Sequence, residues 1–445
     1  MAQAIENSRN HCAFIGALQT VQAIDGVAPI VHSTAGCAVQ QYFGGNKVSG
    51  WRGSGYVGGG AAPSSNVIEK QIVFGGSSRL REQIKNTVKV VKAELYTVLP
   101  GCATELVGDD IPAMVKEAQE QGFPVIYIAA PGFKGDIHNG YELAVKGIIE
   151  QLTHFSSGTR DKISGLVNVL GIIPGQDVFW QGHLLELQSI LAKVGLAANT
   201  LFGLGQSIKT WQQVPQAELN LVFSPWGVKI AQYLEDKFGT PYLVVDGLPA
   251  GVDDTLQLLR KLRIRLPFAD EELAAVQRLE EQRWAYYVEQ IADVYYEHNL
   301  QKEVALVGET SLILGLAGFL SASFGLIPKV LVMTDPLPES AKAAVTAKIK
   351  QLIADYATEV AFEEDQGRIN DIIRRNGVEL LLASSLEQEI AAELNIPLLP
   401  IAFPVTNAVI LQKSYIGFKG AITLLEDLSS RIVAWREEGK DADYA

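Results

Sequence analysis

Cysteine is scarce: three in 445 residues, with no C-x₂₋₄-C pair among them. Structural zinc sites favour such close thiol pairs, so their absence argues against that class. It also has no stretch in the charged, apolar, small-residue order of a signal peptide and no uninterrupted apolar run long enough to span a bilayer. A cytoplasmic location is therefore expected, and in a reducing compartment the three thiols are not expected to form disulfides. Lys and Arg number 37 against 50 Asp and Glu, a net charge of −13 that argues against a nucleic-acid or anionic-membrane surface. No G-x-x-x-x-G-K-[ST] occurs, so ATP binding through a P-loop is not expected.

What is present is 48% hydrophobic and 20% charged residues, the balance of a well-packed α/β chain and not of a disordered one. The length calls for two to four cores. Apolar strand-like runs recur as VAPIVH (27–32), AELYTVL (93–99) and PVIYIAA (124–130), with helical periodicity over Ser78–Lys92 and Ile111–Gln121. Asp109 and Asp110 suit a helix N-cap, and Pro112 suits a first turn. A second unit opens at ISGLVNVLGIIPG (163–175), has a helix near Leu184–Val194, and continues through LNLVFSP (219–225) and TPYLVVDG (240–247). A third runs from EVALVGE (303–309) and an apolar helix to PKVLVMTD (328–335), VELLLASS (378–385) and PLLPIAFP (397–404). This alternation predicts three Rossmann-like, doubly wound parallel-sheet domains over 1–158, 159–300 and 301–445. Glu271–His298 connects the second and third, and 418–437 reads as a closing helix before a frayed acidic tail.

GSGYVG (53–58) satisfies G-x-G-x-x-G, but no strand precedes it and no helix follows. With Gly44, Gly45, Gly50, Gly59 and Gly60 it reads as a glycine-rich loop. The cysteines are more informative. Cys37 in VHSTAGCAV and Cys102 in LPGCATE each follow a predicted strand and a glycine, and Cys12 lies in NHCAFIGA. Gly36 and Gly101 let the backbone approach a bulky inorganic group, and a helix N-terminus favours the anionic sulfur a metal needs. A cysteine in a strand reads as a small buried hydrophobe. All three fall in predicted loops of the first quarter of the chain, which favours a shared site over three fillers. Widely spaced thiols suit an iron–sulfur cluster, which takes four protein ligands. A carboxylate of this chain or a second subunit must then supply what is missing.

The ordered series C-A-F-x-G-A, V-H-x-x-x-G-C, I-V-F-G-G (72–76), C-A-T-E-L-V-G-D-D and P-G-F-x-G (131–135) resembles the nitrogenase component 1 superfamily. That superfamily contains nitrogenase subunits, cofactor-maturation scaffolds, light-independent tetrapyrrole reductases and methylthio-alkane reductases. The match is strongest in the N-terminal 150 residues, and FPVTNAVILQKSYIGFKGAITLLEDL (403–428) resembles the β-type C-terminus. C-A-F-x-G-A is closer to the α-type or scaffold chain.

The resemblance implies a pseudo-symmetric pairing with an α-like subunit in an α2β2 heterotetramer. It also implies an ATP-dependent iron protein as electron donor, and an interfacial cluster of the [8Fe-7S] P-cluster type or [4Fe-4S]. Cys12, Cys37 and Cys102 fall on the family's cluster-ligand positions. Asp136 stands where the family's β chains carry a serine, and is either an iron ligand or a solvated loop aspartate. His32 is a candidate donor behind the cluster and Glu105 a nearby negative charge, while His154, His183 and His298 read as ordinary. No cysteine follows Cys102, so the chain resembles the β-type partner that relays electrons. Assembly scaffold and dark-operative tetrapyrrole reductase subunit are the alternatives.

Overall fold

The computed structural model describes residues 9–39, 62–155, 161–354 and 356–443. The glycine-rich stretch containing GSGYVG lies outside them. Three parallel sheets form, as the alternation predicts. The first has the order β1-β2-β3, from β1 (Val27–His32), β2 (Leu95–Pro100) and β3 (Val125–Tyr127). Every residue of β2 is buried, the signature of a parallel strand covered on both faces. The second sheet, order β5-β4-β6-β7, uses β4 (Ile163–Leu170), β5 (Ala197–Asn199), β6 (Ala217–Val222) and β7 (Tyr242–Val244). The third, order β10-β9-β8-β11-β12, uses β8 (Glu303–Gly308), β9 (Ile327–Met333), β10 (Glu359–Phe362), β11 (Leu380–Ala383) and β12 (Leu398–Pro400). That third order reverses between β8 and β11, as in a dinucleotide-binding sheet.

The described chain packs as two compact units. Asn10–Gly175 and Ala198–Val244 form one, which holds β1 to β3 together with β4, β6 and β7. Arg9, Gln176–Ala197 and the described chain from Val245 onward form the other. In the latter, the buried guanidinium of Arg9 pairs with the fully buried carboxylate of Glu387 and donates to Ser384 Oγ at 2.9 Å. The helix Thr310–Phe324 follows β8, where a dinucleotide-binding sheet receives a pyrophosphate. Here Asp335 takes that place, its Oδ1 accepting from Thr310 N and Oγ1 at 2.8 and 2.6 Å.

Several local expectations change. A helix, Ala13–Gln22, begins directly after Cys12. Cys37 lies in a helical stretch at 35–39, and Cys102 is the first residue of the helix Cys102–Val107, so these two are helical and not in loops. The closing helix runs over Gly417–Asp443, longer than expected. Asp110 caps Ile111–Glu120 by accepting from Ala113 N at 3.1 Å, whereas Asp109 is used elsewhere. Among the described residues no helix is long and apolar enough to cross a membrane.

Candidate metal centre

Two helices set the position of Cys12. Helix Ala13–Gln22 crosses helix Ile137–Phe155 so closely that a Cβ on Gly16 would meet Ile137 O at 2.0 Å, and one on Gly140 would meet Ala13 O at 2.1 Å. Only glycine allows that approach. The crossing sets Cys12 beside Asp136 in an antiparallel bridge, with Ala13 N donating to Gly135 O at 2.9 Å. The motif P-G-F-x-G thereby lies along the first cysteine. Its Gly135 has φ +138°, and a side chain there would strike Asn139 Oδ1.

Cys102 is placed by the pairing of β1 with β2. His32 is level with Pro100, and the ladder continues through Gly101 N donating to His32 O at 2.9 Å. Thr104 Oγ1 adds a bond to the same carbonyl at 2.7 Å. The cavity left by the absent Gly101 side chain is filled by Ser33, whose Oγ lies 2.0 Å from where that Cβ would be. Ser33 Oγ in turn lies 3.2 Å from Cys37 Sγ. A Cβ on Gly132 would sit 3.0 Å from Cys12 Sγ and 3.1 Å from Cys102 Sγ. Cys12 and Cys102 thus flank Gly132, and the Ser33–Gly101 contact ties Cys37 to the segment that carries Cys102. All three thiols are half-buried.

The sequence singled out Gly36 and Gly101 for close approach, and the structure gives them different settings. Gly101 accommodates Ser33, a residue of this chain, while among the described residues a Cβ on Gly36 would meet only Thr34 Oγ1 at 4.0 Å. Gly132 is the glycine that faces two sulfurs, and sequence reasoning missed it as a site residue although it lies in a quoted motif. His32 is not free to serve the sulfurs: Nδ1 lies 2.9 Å from Ser65 Oγ and Nε2 3.0 Å from Asp109 Oδ2. Burial holds its pKa below the ordinary histidine value against the opposing pull of Asp109. Asp109 also accepts from Gly76 N, so the second glycine of I-V-F-G-G is tied to this pair.

Asp136 is half-buried and caps helix Ile137–Phe155. Its Oδ1 accepts from His138 N at 2.8 Å and Asn139 N at 3.1 Å, with His138 Nδ1 at 3.3 Å. Burial acts to raise its pKa, but the hydrogen bond and charge of His138 and the two amides outweigh this and hold it below the usual value. It is therefore an ionised carboxylate beside Cys12, with one oxygen already engaged. Glu105 lies 4.0 Å from Lys134 Nζ. His183 is more than ordinary: fully buried, it bonds Asp177 Oδ2 at 2.6 Å and accepts from Tyr415 N at 3.3 Å, a structural clasp.

The donors described at this centre are three thiols with one adjacent carboxylate, Asp136. Among the described residues no three His, Cys, Asp or Glu side chains close on a single ion. Thiols spread around a glycine suit a multi-iron group, which spans several ångströms, better than a lone metal ion. The surroundings are apolar and exposed: Val39 two residues past Cys37, Leu106 and Val107 on the helix opened by Cys102, and Phe133 beside Gly132. The helix Glu69–Phe74 buries none of its residues and exposes Val73 at 71% and Phe74 at 82%. Such a clustered apolar surface marks an interaction face.

Residues 12–433 match the family described as Nitrogenase component 1 type Oxidoreductase. Similar curated proteins include the nitrogenase molybdenum-iron protein beta chain of Frankia alni, 26% identical over 96% of this chain and 82% of the relative. The corresponding chain of Methanococcus maripaludis is 24% identical over 98% and 96%. A nitrogenase vanadium-iron protein beta chain of Trichormus variabilis is 24% identical over 86% and 85%. A solved structure described as Nitrogenase Cp1 at pH 6.5 has the same fold, with TM-score 0.78 at 21% identity over 98% of this chain and 95% of the other.

Proposed function

Because the chain is a β-type member of the nitrogenase component 1 type oxidoreductase family, we propose that it is the electron-relaying subunit of a nitrogenase-like reductase. In this reading Cys12, Cys37 and Cys102 anchor an iron–sulfur cluster, of the [8Fe-7S] or [4Fe-4S] kind, shared with an α-like partner in an α2β2 assembly. An ATP-dependent iron protein supplies electrons one at a time, and substrate is reduced on the partner. The assembly works in the cytoplasm, and domains divide by sheet at about 158 and 300. The observation that carries this reading is that Cys12 and Cys102 meet at Gly132, with Cys37 tied to the Cys102 segment through Ser33, beside exposed apolar side chains.

When bound, the cluster supplies reversible one-electron storage. The chain's own contribution is geometric. Gly132 leaves space between two sulfurs, and the crossing of Gly16 and Gly140 sets Cys12 against the Asp136 loop. The apolar rim of Val73, Phe74, Leu106 and Phe133, covered by the partner, excludes water from the centre. Asp136 places a fixed negative charge beside Cys12 and offers an oxygen donor. Gly36 leaves the backbone beside Cys37 without a side chain, so that a bulky group can come close to it.

The test is anaerobic purification of the chain with whatever subunit accompanies it, followed by iron and sulfide analysis and EPR. Iron and sulfide in the wild type, and their loss in Cys37→Ala together with a weakened heterodimer, support the proposal. A colourless, iron-free complex would sink it. A cluster retained without substrate turnover would point to an assembly scaffold, and turnover of a tetrapyrrole to the dark-operative reductases.

A further inference from the structure

Ser33 was not among the residues that sequence reasoning singled out. It is fully buried one residue past the end of β1, and its backbone is held by Val67 N donating to Ser33 O at 3.0 Å. Its hydroxyl is held against Gly101, where any side chain would collide with it, and lies 3.2 Å from Cys37 Sγ. A buried hydroxyl confined from one side and next to a sulfur on the other has its one proton aimed at that sulfur.

We infer that Ser33 is a positioning residue of the centre, donating its Oγ–H to Cys37 Sγ and thereby raising the reduction potential of the cluster that the thiol anchors. The inference rests on the proposed cluster reading. Reduction adds negative charge that is shared by the ligand sulfurs. A donor aimed at such a sulfur stabilises the reduced form more than the oxidised one. The sign follows: removing the donor makes the cluster harder to reduce. Gly101 is the second member of the device, since a side chain there would occupy the place from which Ser33 Oγ reaches Cys37.

The experiment is a redox titration, followed by EPR, of the anaerobically purified complex carrying Ser33→Ala, Ser33→Thr or Gly101→Ala, with iron counted in each. Ser33→Ala is expected to keep its iron and titrate at a more negative midpoint. Ser33→Thr, which keeps the hydroxyl, should return towards the wild-type value. Gly101→Ala, which pushes the hydroxyl aside, should shift in the same direction as Ser33→Ala. Equal midpoints for wild type and Ser33→Ala at full iron content would overturn the inference, as would a shift that Ser33→Thr does not reverse. Loss of iron from Ser33→Ala and Gly101→Ala alike would overturn it by making the contact one of packing only. An iron-free wild-type complex would instead remove the cluster reading beneath it.

Discussion

Cys12 and Cys102, ninety residues apart in sequence, hold their sulfurs against the same glycine, 3.0 and 3.1 Å from where a Cβ of Gly132 would be. In the cluster-free chain each sulfur can turn about its Cα–Cβ bond away from a methyl group there, and a shift of a few tenths of an ångström relieves the remaining contact with Cys12 Cβ at 3.1 Å. Once both sulfurs are bound to iron they cannot turn. Gly132→Ala is therefore expected to fold with an unchanged circular dichroism spectrum and to hold less than half the wild-type iron. Iron at the wild-type level would show that the glycine is not a spacer between ligands.

Asp136 has two separable roles. Asp136→Ala removes the cap of helix Ile137–Phe155 and should cost about 1 kcal/mol of stability. Asp136→Asn keeps an acceptor for the amides of His138 and Asn139 while removing the charge, so its melting temperature should stay close to wild type. If the carboxylate binds iron on oxidation, both variants alter the spectrum of the oxidised complex and leave that of the reduced complex as it was. Identical spectra through the whole titration would dismiss the ligand role.

The exposed pair Val73 and Phe74 lies outside the described core, since their helix buries no residue. The double change Val73→Asp with Phe74→Asp should leave thermal stability within about 0.5 kcal/mol and weaken co-purification of the α-like partner at least about tenfold. Pull-down at matched concentrations reads the second effect, and undiminished recovery would place the partner on another face.

Asp254, in the first turn of helix Gly251–Arg263, is pushed up to about 6 by burial, with Asp253 adding to the effect and Ala250 N, Lys261 and Lys348 opposing it. The folded chain thus binds a proton there that the unfolded chain, titrating near 3.8, releases. Its contribution to stability is full below about pH 4 and is lost as pH rises through 6. Asp254→Asn should accordingly stabilise the chain at pH 7.5 by about 2 kcal/mol and flatten the melting temperature between pH 5 and 7.5. A variant less stable than wild type at pH 7.5 would reject the argument.

Most strands that sequence reasoning found have apolar runs covered on both faces, β2 and β8 above all, although β7 was found from its run and is partly exposed. The same reasoning missed β5 and β10, short edge strands without a comparable run. The helix after Cys12 was also missed. Nine of its ten residues, Ala13 to Val21, are buried, so its sequence has no polar face to mark the helical period. In the sequence His32 is a candidate donor behind the cluster. Its partners are Ser65 and Asp109, 33 and 77 residues away, and no local pattern announces them.

By itself the sequence determined that three thiols follow or flank buried apolar elements, and that no later cysteine joins them. A run of apolar residues, a glycine and a cysteine is local information, legible without a fold. Tertiary structure alone decided which glycine separates the sulfurs, where His32 directs its nitrogens and which hydroxyl reaches Cys37. Those are contacts between segments distant in the chain. They depend on the register that sets His32 level with Pro100 and on the close crossing of two helices at Gly16 and Gly140.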